Sequence, residues 1–389
     1  MDYDKALALF TPPTFTHIGV PERHARIAAL QARMRAAGVK AVWLDASSSL
    51  TYFTGLKIGL SERMHGALVP SEGALIYVSP TFEEPKLQTL LQLPGELLLW
   101  EEHEAPGPMI VARAQALNAP GETLALDPAT PFLFAAAMMG QGMPVVPAQT
   151  LIAAGRQIKS AAEIAIIQTA MNASYSVQKA VHAGLREGIS TTEVSAFVDA
   201  AHAAMGMNPQ FAYAQFGEAT AYPHGVPYPQ TLKPGDMVLV DMGAILGGYY
   251  SDITRTYVFG QPTDRQRTIW QAEHAAQSAA FAAARIGAPC SAVDAAARAS
   301  LTAAGYGPGY ALPGLPHRTG HGLGSDIHED PFMVQGNDTP LAPGMVFSIE
   351  PMLCLYGECG VRLEDIVYMT ETGPRWFCTP AADPVTPFG

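Results

Sequence analysis

Hydrophobic and polar residues alternate in short blocks over the first 155 positions, a pattern that predicts helices interleaved with strands. Apolar side chains recur at spacings of three and four from Ile27 to Met34. Pro21 suits a first helical turn and Gly38 a C-terminal cap, so a helix is expected over 21–37. Strands are expected at 39–44, 67–69, 74–78, 97–99, 123–126 and 144–146, and helices near 85–93 and 110–117. This order of elements predicts an α/β domain.

Two Ser-x-x-Glu capping boxes, which begin at Ser160 and Ser190, each predict the start of a helix. The first helical run is expected to end near Gly188. A domain boundary is therefore predicted just before the first box, which gives an N-terminal domain over 1–155 and a second domain over 156–389.

From about residue 231 onward, runs rich in β-branched residues predict pairs of strands. In the first pair, Gly247 and Gly248 mark a turn between two such runs. Asp241 and Asp252 lie on either side of this turn, so we expect their carboxylates nearly opposite each other, about 5 Å apart on one face. Two ionised carboxylates that close repel unless a proton or a metal ion lies between them. Helices are expected to interrupt the strands at about 263–285 and 291–304.

A second predicted hairpin is centred on Gly357 and repeats this design. Glu350 and Glu364 are symmetric about that glycine, which predicts a second facing pair of carboxylates. Arg362 lies two residues before Glu364 and is therefore expected on the same face of its strand.

A histidine- and glycine-rich segment, which carries His317, His321 and His328, lies between the two hairpins. Its glycines would let the backbone and an imidazole approach a common centre closely. Four carboxylates and a histidine predict a dinuclear metal site, whose hard oxygen ligands favour Mn²⁺ and are compatible with Co²⁺, Zn²⁺ or Fe²⁺. Two divalent cations would balance the four negative charges.

Each of these residues alone has a simpler interpretation. An isolated Asp such as Asp241 usually faces solvent, and a single histidine is more often a surface or core residue than a ligand. His202 and His274 lie in helical stretches and are given that structural interpretation. Only the combination of two carboxylate pairs with a histidine predicts a metal centre.

Composition narrows the possible classes of protein. Apolar residues make up 48% of the 389 positions and charged residues 15%, which excludes a disordered or collagen-like chain. The formal net charge is −12 without a cationic block, which argues against nucleic-acid binding. No apolar stretch approaches the length of a membrane span, and the N-terminus lacks signal-peptide character, so a cytoplasmic protein is expected. The spacing of the four cysteines fits neither structural zinc nor a disulfide framework.

These motifs together resemble the metallopeptidases of the pita-bread fold, a family that includes prolidase, aminopeptidase P and methionine aminopeptidase, with metal-free creatinase as a relative. The resemblance implies a pita-bread catalytic domain, with a curved antiparallel sheet and flanking helices, after a creatinase-like N-terminal α/β domain with a mixed sheet. The matching features are Asp241 with Asp252, Gly-His321-Gly-Leu-Gly, Ser-Ile-Glu350-Pro and Gly-Val-Arg362-Leu-Glu364-Asp.

The resemblance also implies roles for individual residues. The five equivalent residues bind two metal ions in that family: Asp241, Asp252, His321, Glu350 and Glu364. Positions like Asp252 and Glu364 bridge the two ions, and Glu350 is expected to accept the proton of the attacking water. Three further histidines match residues that contact substrate: His224 in Tyr-Pro-His-Gly, His317 and His328. His224 and His328 are expected to stabilise the oxyanion or pass a proton to the leaving nitrogen, and His317 to line a proline pocket.

The expected activity is cleavage of the bond between an N-terminal residue and proline, most simply by an Xaa-Pro dipeptidase (prolidase) that works as a homodimer. Arg362 and Arg63, the latter in a loop after Tyr-Phe-Thr-Gly, are candidates for binding a substrate carboxylate. The alternatives are an aminopeptidase P acting on longer peptides, a methionine aminopeptidase, a creatinase-like amidinohydrolase and a non-catalytic binding protein. Met352 stands where the family commonly has Gly, and either narrows the pocket or packs beneath the hairpin.

Overall fold

The computed structural model describes residues 2–388, and its chain divides into two compact units. The first unit is Ile18–Arg156, and the second consists of the residues up to His17 together with those from Gln157 onward. The N-terminal segment groups with the second unit because Tyr3 stacks on Phe197, with 4.0 Å between ring centroids. The sequence instead assigned this segment to the N-terminal domain, and the division at residue 155 stays a prediction.

Eleven α-helices and seventeen strands are found among the described residues. The helices are α1 (Tyr3–Leu7), α2 (Val20–Ala36), α3 (Ser48–Thr54), α4 (Glu84–Leu90), α5 (Pro106–Gln115), α6 (Phe132–Met138), α7 (Gln149–Arg156), α8 (Ala161–Gly184), α9 (Thr191–Ala204), α10 (Asp264–Ala283) and α11 (Cys290–Ala303). The strands are β1 (Val39–Asp45), β2 (Gly66–Pro70), β3 (Leu75–Pro80), β4 (Gly95–Trp100), β5 (Thr123–Leu126), β6 (Val145–Pro147), β7 (Asn208–Phe216), β8 (Met237–Leu246), β9 (Tyr249–Tyr250), β10 (Ile253–Val258), β11 (Gly320–Gly322), β12 (Glu329–Met333), β13 (Val346–Ile349), β14 (Met352–Leu355), β15 (Cys359–Arg362), β16 (Asp365–Thr370) and β17 (Gly373–Trp376). No helix within residues 2–388 is both long and apolar enough to cross a membrane.

The first unit is built on a six-stranded sheet in the order β4-β3-β2-β1-β5-β6. Strand β1 pairs antiparallel with β2 and parallel with β5, so the sheet is mixed, as expected. Because side chains alternate along β1, Val42 and Leu44 join one apolar core with Leu30 of α2, whereas Trp43 joins the core on the other side. A strand is observed at each of the six positions where the sequence predicted one.

The second unit contains two larger antiparallel sheets, β10-β8-β7 and β12-β11-β13-β16-β17, and the separate hairpin β14-β15. Helices α8 and α9 begin with complete capping boxes at Ser160 and Ser190, as predicted. Helix α8 ends at Gly184, earlier than expected, because Leu185 takes an extended backbone conformation.

The two sheets meet where β10 approaches the start of β16. The Glu364 N–H donates to the Thr254 carbonyl oxygen at 3.2 Å. Directly beside this contact, Arg255 and Asp365 form an ion pair at 2.6 Å in which both side chains are fully buried. Breaking such a pair leaves a buried charge uncompensated, so the junction is held firmly in place. It brings Glu364 next to the strand that follows Asp252.

Candidate metal centre

The first hairpin places Asp241 and Asp252 on one face of the sheet, but not directly opposite each other. Asp241 pairs with Thr254, so Asp252 lies two residues from the position opposite Asp241, and the expected near opposition of the two carboxylates is a diagonal arrangement. The turn is centred on Gly247 and Gly248, which both have positive φ, of 59° and 92°. A two-residue turn of this kind requires positive φ at both central positions, and the two glycines therefore set the register. Asp252 remains on the same face because it lies two residues from Thr254.

The second hairpin confirms the predicted opposition of Glu350 and Glu364. The flanking pairs are Ile349 with Asp365 and Met352 with Arg362, and this register places the two glutamates opposite each other. Met352 is fully buried in the apolar core and does not line the cleft described below. It therefore packs beneath the hairpin, which is the second of the two alternatives that the sequence left open.

Four of the expected ligands converge. Ligand atoms of Asp252, His321 and Glu364 all lie within 4.8 Å of one another, and the three side chains are buried. His321 Nε2 lies 3.0 Å from Glu350 Oε1 and 3.6 Å from Asp252 Oδ2. The fifth, Asp241, accepts a hydrogen bond on Oδ2 and lines the same cavity.

The orientation of His321 is fixed by its surroundings. Its Nδ1 lies 3.1 Å from the Gly322 carbonyl oxygen, which accepts a hydrogen bond from that nitrogen and turns Nε2 toward the carboxylates. The His321 backbone N–H donates to Ser348 Oγ at 2.9 Å, and that hydroxyl donates to Glu350 Oε1 at 3.1 Å. A side chain at Gly320 would lie 1.9 Å from the Ser348 carbonyl oxygen, so the glycine permits this close approach.

Arg362 and Thr254 connect the two carboxylate pairs. Arg362 Nη2 donates to Asp241 Oδ2 at 2.6 Å, and its Nε donates to Thr254 Oγ1 at 3.2 Å. Thr254 Oγ1 in turn donates to Glu364 Oε2 at 2.6 Å. The sequence analysis missed Thr254, although its position two residues after Asp252 placed it on the ligand face.

The carboxylates raise one another's proton affinity. Burial raises the pKa of Asp252 well above its usual range, and the charges of Glu364, Asp241 and Glu350 raise it further. Burial and the charges of Glu350 and Asp241 likewise raise the pKa of Glu364. The pKa of Asp241 is raised by burial, against the opposing charge of Arg362. These are the shifts expected where negative charge is concentrated without enough positive charge to balance it.

The pKa of Glu350 is shifted in the opposite direction from those of Asp241, Asp252 and Glu364. Burial alone would raise its pKa, but the hydrogen bond and charge of His321 and the charges of His317 and Arg362 lower it to about 2. Its side chain is 14% exposed, so it can be reached from the cleft.

The residues present fit divalent cations. Four largely buried carboxylates surround one imidazole and one arginine, which leaves an excess of negative charge. Asp241 Oδ1 is buried and has no hydrogen-bond partner within the described part of the chain. An oxygen-rich set with one histidine nitrogen is suited to hard and borderline divalent metals.

The centre lies in a cleft of about 810 Å³. Each candidate residue from the second unit lines it: Asp241, Asp252, His321, Glu350, Glu364, His224, His317, His328 and Arg362. The remaining wall includes four aromatic side chains that the sequence analysis did not single out: Phe211, Tyr213, Tyr222 and Tyr310.

The three further histidines form part of the cleft wall. The His328 ring lies edge-on to that of His321, with 4.1 Å between centroids. Desolvation by the surrounding protein, with the positive charge of His321, lowers the pKa of His328 to about 4. Desolvation also lowers the pKa of His317, whose Nδ1 lies 2.7 Å from the Arg318 carbonyl oxygen. His224 is exposed at the wall, 6.4 Å from the Tyr213 ring.

Arg63 lies in the first unit, where its Nε is 3.0 Å from Glu102 Oε1 and its Nη1 pairs with Glu62. Its guanidinium also lies over the Phe82 ring, at 5.3 Å from the centroid. A role for Arg63 in substrate binding stays a prediction.

Comparison with known proteins identifies the family to which this chain belongs. Residues 165–371 match metallopeptidase family M24, and residues 26–158 match the creatinase/prolidase N-terminal domain. The chain belongs to metallopeptidase family M24 and is a hydrolase. Membership of this family implies divalent metal ions, which agrees with the donor set described above.

Two relatives of known structure cover nearly the whole chain. Dipeptidase PepE from Mycobacterium ulcerans superposes with a TM-score of 0.86 at 30% identity, covering 95% of this chain and 98% of its own. A prolidase from Thermococcus sibiricus superposes with a TM-score of 0.83 at 31% identity, covering 92% and 97%. An Xaa-Pro dipeptidase of Lactobacillus helveticus is 43% identical over 163 residues, which are 42% of this chain and 43% of that protein.

Proposed function

We propose that this chain is a dinuclear metal-dependent Xaa-Pro dipeptidase. The observation that carries the proposal is the cluster of four carboxylates and His321, which opens into a cleft walled by three more histidines. The names of the relatives support the substrate class, since two similar proteins are a prolidase and an Xaa-Pro dipeptidase.

In this proposal five residues hold two metal ions: Asp241, Asp252, His321, Glu350 and Glu364. Mn²⁺ is the favoured ion because oxygen donors dominate, and Co²⁺, Zn²⁺ and Fe²⁺ are the alternatives. When bound, the two ions would supply a nucleophile near neutral pH and polarise the scissile carbonyl. An X-Pro bond has no N–H by which an enzyme could orient it, so direct polarisation of the carbonyl suits this substrate.

The protein's own groups would orient the substrate and move protons. Glu350 is the ligand best placed to accept the proton of the attacking water, because its side chain is 14% exposed toward the cleft whereas that of Asp252 is 6% exposed. His328 and His224, on the cleft wall, would stabilise the developing oxyanion or protonate the leaving nitrogen of proline. His317 would line the proline pocket. Arg362 would hold Asp241 in place through the hydrogen bond of 2.6 Å.

The test is a panel of Xaa-Pro dipeptides, Xaa-Pro-Xaa tripeptides and Xaa-Ala dipeptides, assayed after chelation and again after reloading with Mn²⁺. Metal-dependent cleavage confined to the Xaa-Pro dipeptides would support the proposal. Faster cleavage of tripeptides than of dipeptides would assign the chain to aminopeptidase P instead. Metal-independent turnover, or none at all, would favour the creatinase-like or non-catalytic alternatives.

The proposal includes a homodimer in the cytoplasm. The dimer rests on the family resemblance, and light scattering would test it. A reducing compartment is supported by the free, buried state of all four cysteines: Cys290, Cys354, Cys359 and Cys378.

A further inference from the structure

A dipeptide ends in a carboxylate directly after its second residue, so an enzyme that selects dipeptides needs a cationic group with free hydrogen-bond donors in the cleft. Arg362 is the first candidate in the cleft, but its guanidinium is already engaged. It donates to Asp241 Oδ2, Thr254 Oγ1 and the Pro223 carbonyl oxygen, and its side chain is only 4% exposed. Arg362 therefore serves the metal ligands and has little surface left for a substrate.

Arg63, the second candidate from the sequence, is also engaged. Its Nε and Nη2 donate to the two carboxylate oxygens of Glu102, each at 3.0 Å, and Glu62 lies against its Nη1. A bidentate pair of this kind uses the two donor directions that a substrate carboxylate would need. To bind a substrate, Arg63 would first have to leave Glu102.

Arg318 is different, because it lines the cleft without a carboxylate partner. Its guanidinium carbon lies 4.3 Å from the centroid of the Phe332 ring, and between residues 2 and 388 no hydrogen bond or ion pair to that guanidinium is present. Stacking on an aromatic face restricts the guanidinium plane and leaves the donors at its edge available. The residue is half-buried, so these donors are partly desolvated yet accessible.

Arg318 is also close to the groups expected to contact substrate. It directly follows His317, and its positive charge contributes to lowering the pKa of His328. The guanidinium is therefore on the same wall of the cleft as two of the histidines that would surround a bound peptide.

We propose that Arg318 binds the C-terminal carboxylate of the dipeptide substrate and thereby limits substrate length. This assignment rests on the proposed Xaa-Pro dipeptidase function. It makes Arg318 a specificity-determining residue, and the contact would form equally in the ground state and the transition state. Its loss should therefore raise KM and leave kcat nearly unchanged.

The kinetic test compares Ala-Pro with its C-terminal amide, which lacks the carboxylate. Arg318→Met should raise KM for Ala-Pro about tenfold or more, the size expected for loss of a charge-assisted hydrogen bond, and should change KM for the amide less than about twofold. Arg318→Lys should give a KM for Ala-Pro between that of the unmodified enzyme and that of Arg318→Met, because lysine keeps the charge but lacks the planar, bidentate geometry of the guanidinium. The matched control is Arg375→Met, an exposed arginine on β17 outside the cleft lining, which should behave as the unmodified enzyme.

A binding measurement separates this assignment from the proposed function. The Mn²⁺-loaded protein is titrated calorimetrically with N-acetyl-L-proline and N-acetyl-L-prolinamide, and the acid should bind more tightly in the unmodified protein only. If no Xaa-Pro substrate is cleaved but Arg318→Met removes the preference for the acid, the carboxylate site stands and the proposed function fails. If Xaa-Pro dipeptides are cleaved but Arg318→Met weakens acid and amide equally, the function stands and the assignment fails. Absence of any preference for the acid in the unmodified protein, or its loss in Arg63→Met instead, would also overturn the assignment.

Discussion

Lys159 Nζ lies 2.6 Å from Glu329 Oε1, and the two side chains are only 1% and 7% exposed. Glu329 directly follows His328 in sequence and also accepts a hydrogen bond from the Asp326 backbone N–H at 3.2 Å. The buried ion pair thus fixes the turn that presents His328 to the cleft.

We expect Lys159→Met to destabilise the protein by about 3–5 kcal/mol, because it leaves the Glu329 carboxylate buried without its cation. Urea denaturation gives the free energy of unfolding. Lys86→Met is the matched control, since Lys86 pairs with Glu83 but is 68% exposed and its loss should cost less than about 1 kcal/mol. Lys159→Met combined with Glu329→Met should recover part of the loss. Equal losses for the two single variants would contradict this account.

Removal of metal should abolish hydrolysis, and Mn²⁺ or Co²⁺ should restore it. The reason is the crowding of carboxylates around His321, which requires cations both for charge balance and for activation of the nucleophile. Activity is assayed after treatment with a chelator and dialysis, with metal content measured by elemental analysis. Full activity in protein shown to be metal-free would refute the mechanism.

Glu350→Gln should lose nearly all turnover while keeping the fold, because the amide can neither accept a proton nor supply a ligand charge. A loss of about 10²-fold or more in kcat is expected from the proton transfer alone. Circular dichroism and the melting temperature check that the fold is retained. A variant that keeps more than a tenth of the activity would exclude Glu350 as the proton acceptor.

His224→Ala should keep its metal but turn over more slowly, since His224 lies on the cleft wall and outside the group formed by Asp252, His321 and Glu364. The metal-to-protein ratio and kcat are measured on the same preparation. If the variant loses its metal together with its activity, His224 belongs to the ligand set.

The free energy of unfolding should decrease as the pH falls, because His202 is protonated more readily in the unfolded chain than in the folded protein. This histidine is fully buried, with Nε2 2.8 Å from Ser174 Oγ, and desolvation lowers its pKa to about 4. The unfolded chain takes up the proton near pH 6.5 and the folded protein only near pH 4, so stability is present above pH 6.5 and is lost as the pH falls between these values. The slope approaches about 1.4 kcal/mol per pH unit. His202→Gln should show a shallower loss between pH 7 and pH 4.5 in urea denaturation, and an identical pH dependence would rule out this origin.

Much of the fold and of the centre could be predicted from local sequence. The symmetry about Gly357 was enough to oppose Glu350 and Glu364, because the hairpin register there follows from sequence spacing alone. The same reasoning gave the wrong strand register for Asp241 and Asp252. The position of that turn is decided by the two glycines with positive φ and not by the midpoint between the aspartates.

The residues that were missed depend on neighbours distant in sequence. Strand β7 (Asn208–Phe216) carries Pro209 and an irregular burial pattern, and it becomes a strand by pairing with β8. The hydroxyl of Thr254 gains its importance only from Glu364, 110 residues away. The stacking of Arg318 on Phe332 could not be read from either residue alone.

The hydrogen bond between the Glu364 N–H and the Thr254 carbonyl oxygen joins two segments that are synthesised at different times. Asp252 and Glu364 are 364 − 252 = 112 residues apart, so the first pair of acids leaves the ribosome well before the second can join it. We expect a chain halted before Glu364 to fail to retain Mn²⁺ on dialysis, and retention would disprove this order of events. In this order of events the metal site is complete only after Glu364 has been synthesised, and a shorter chain lacks a ligand that hydrolysis needs.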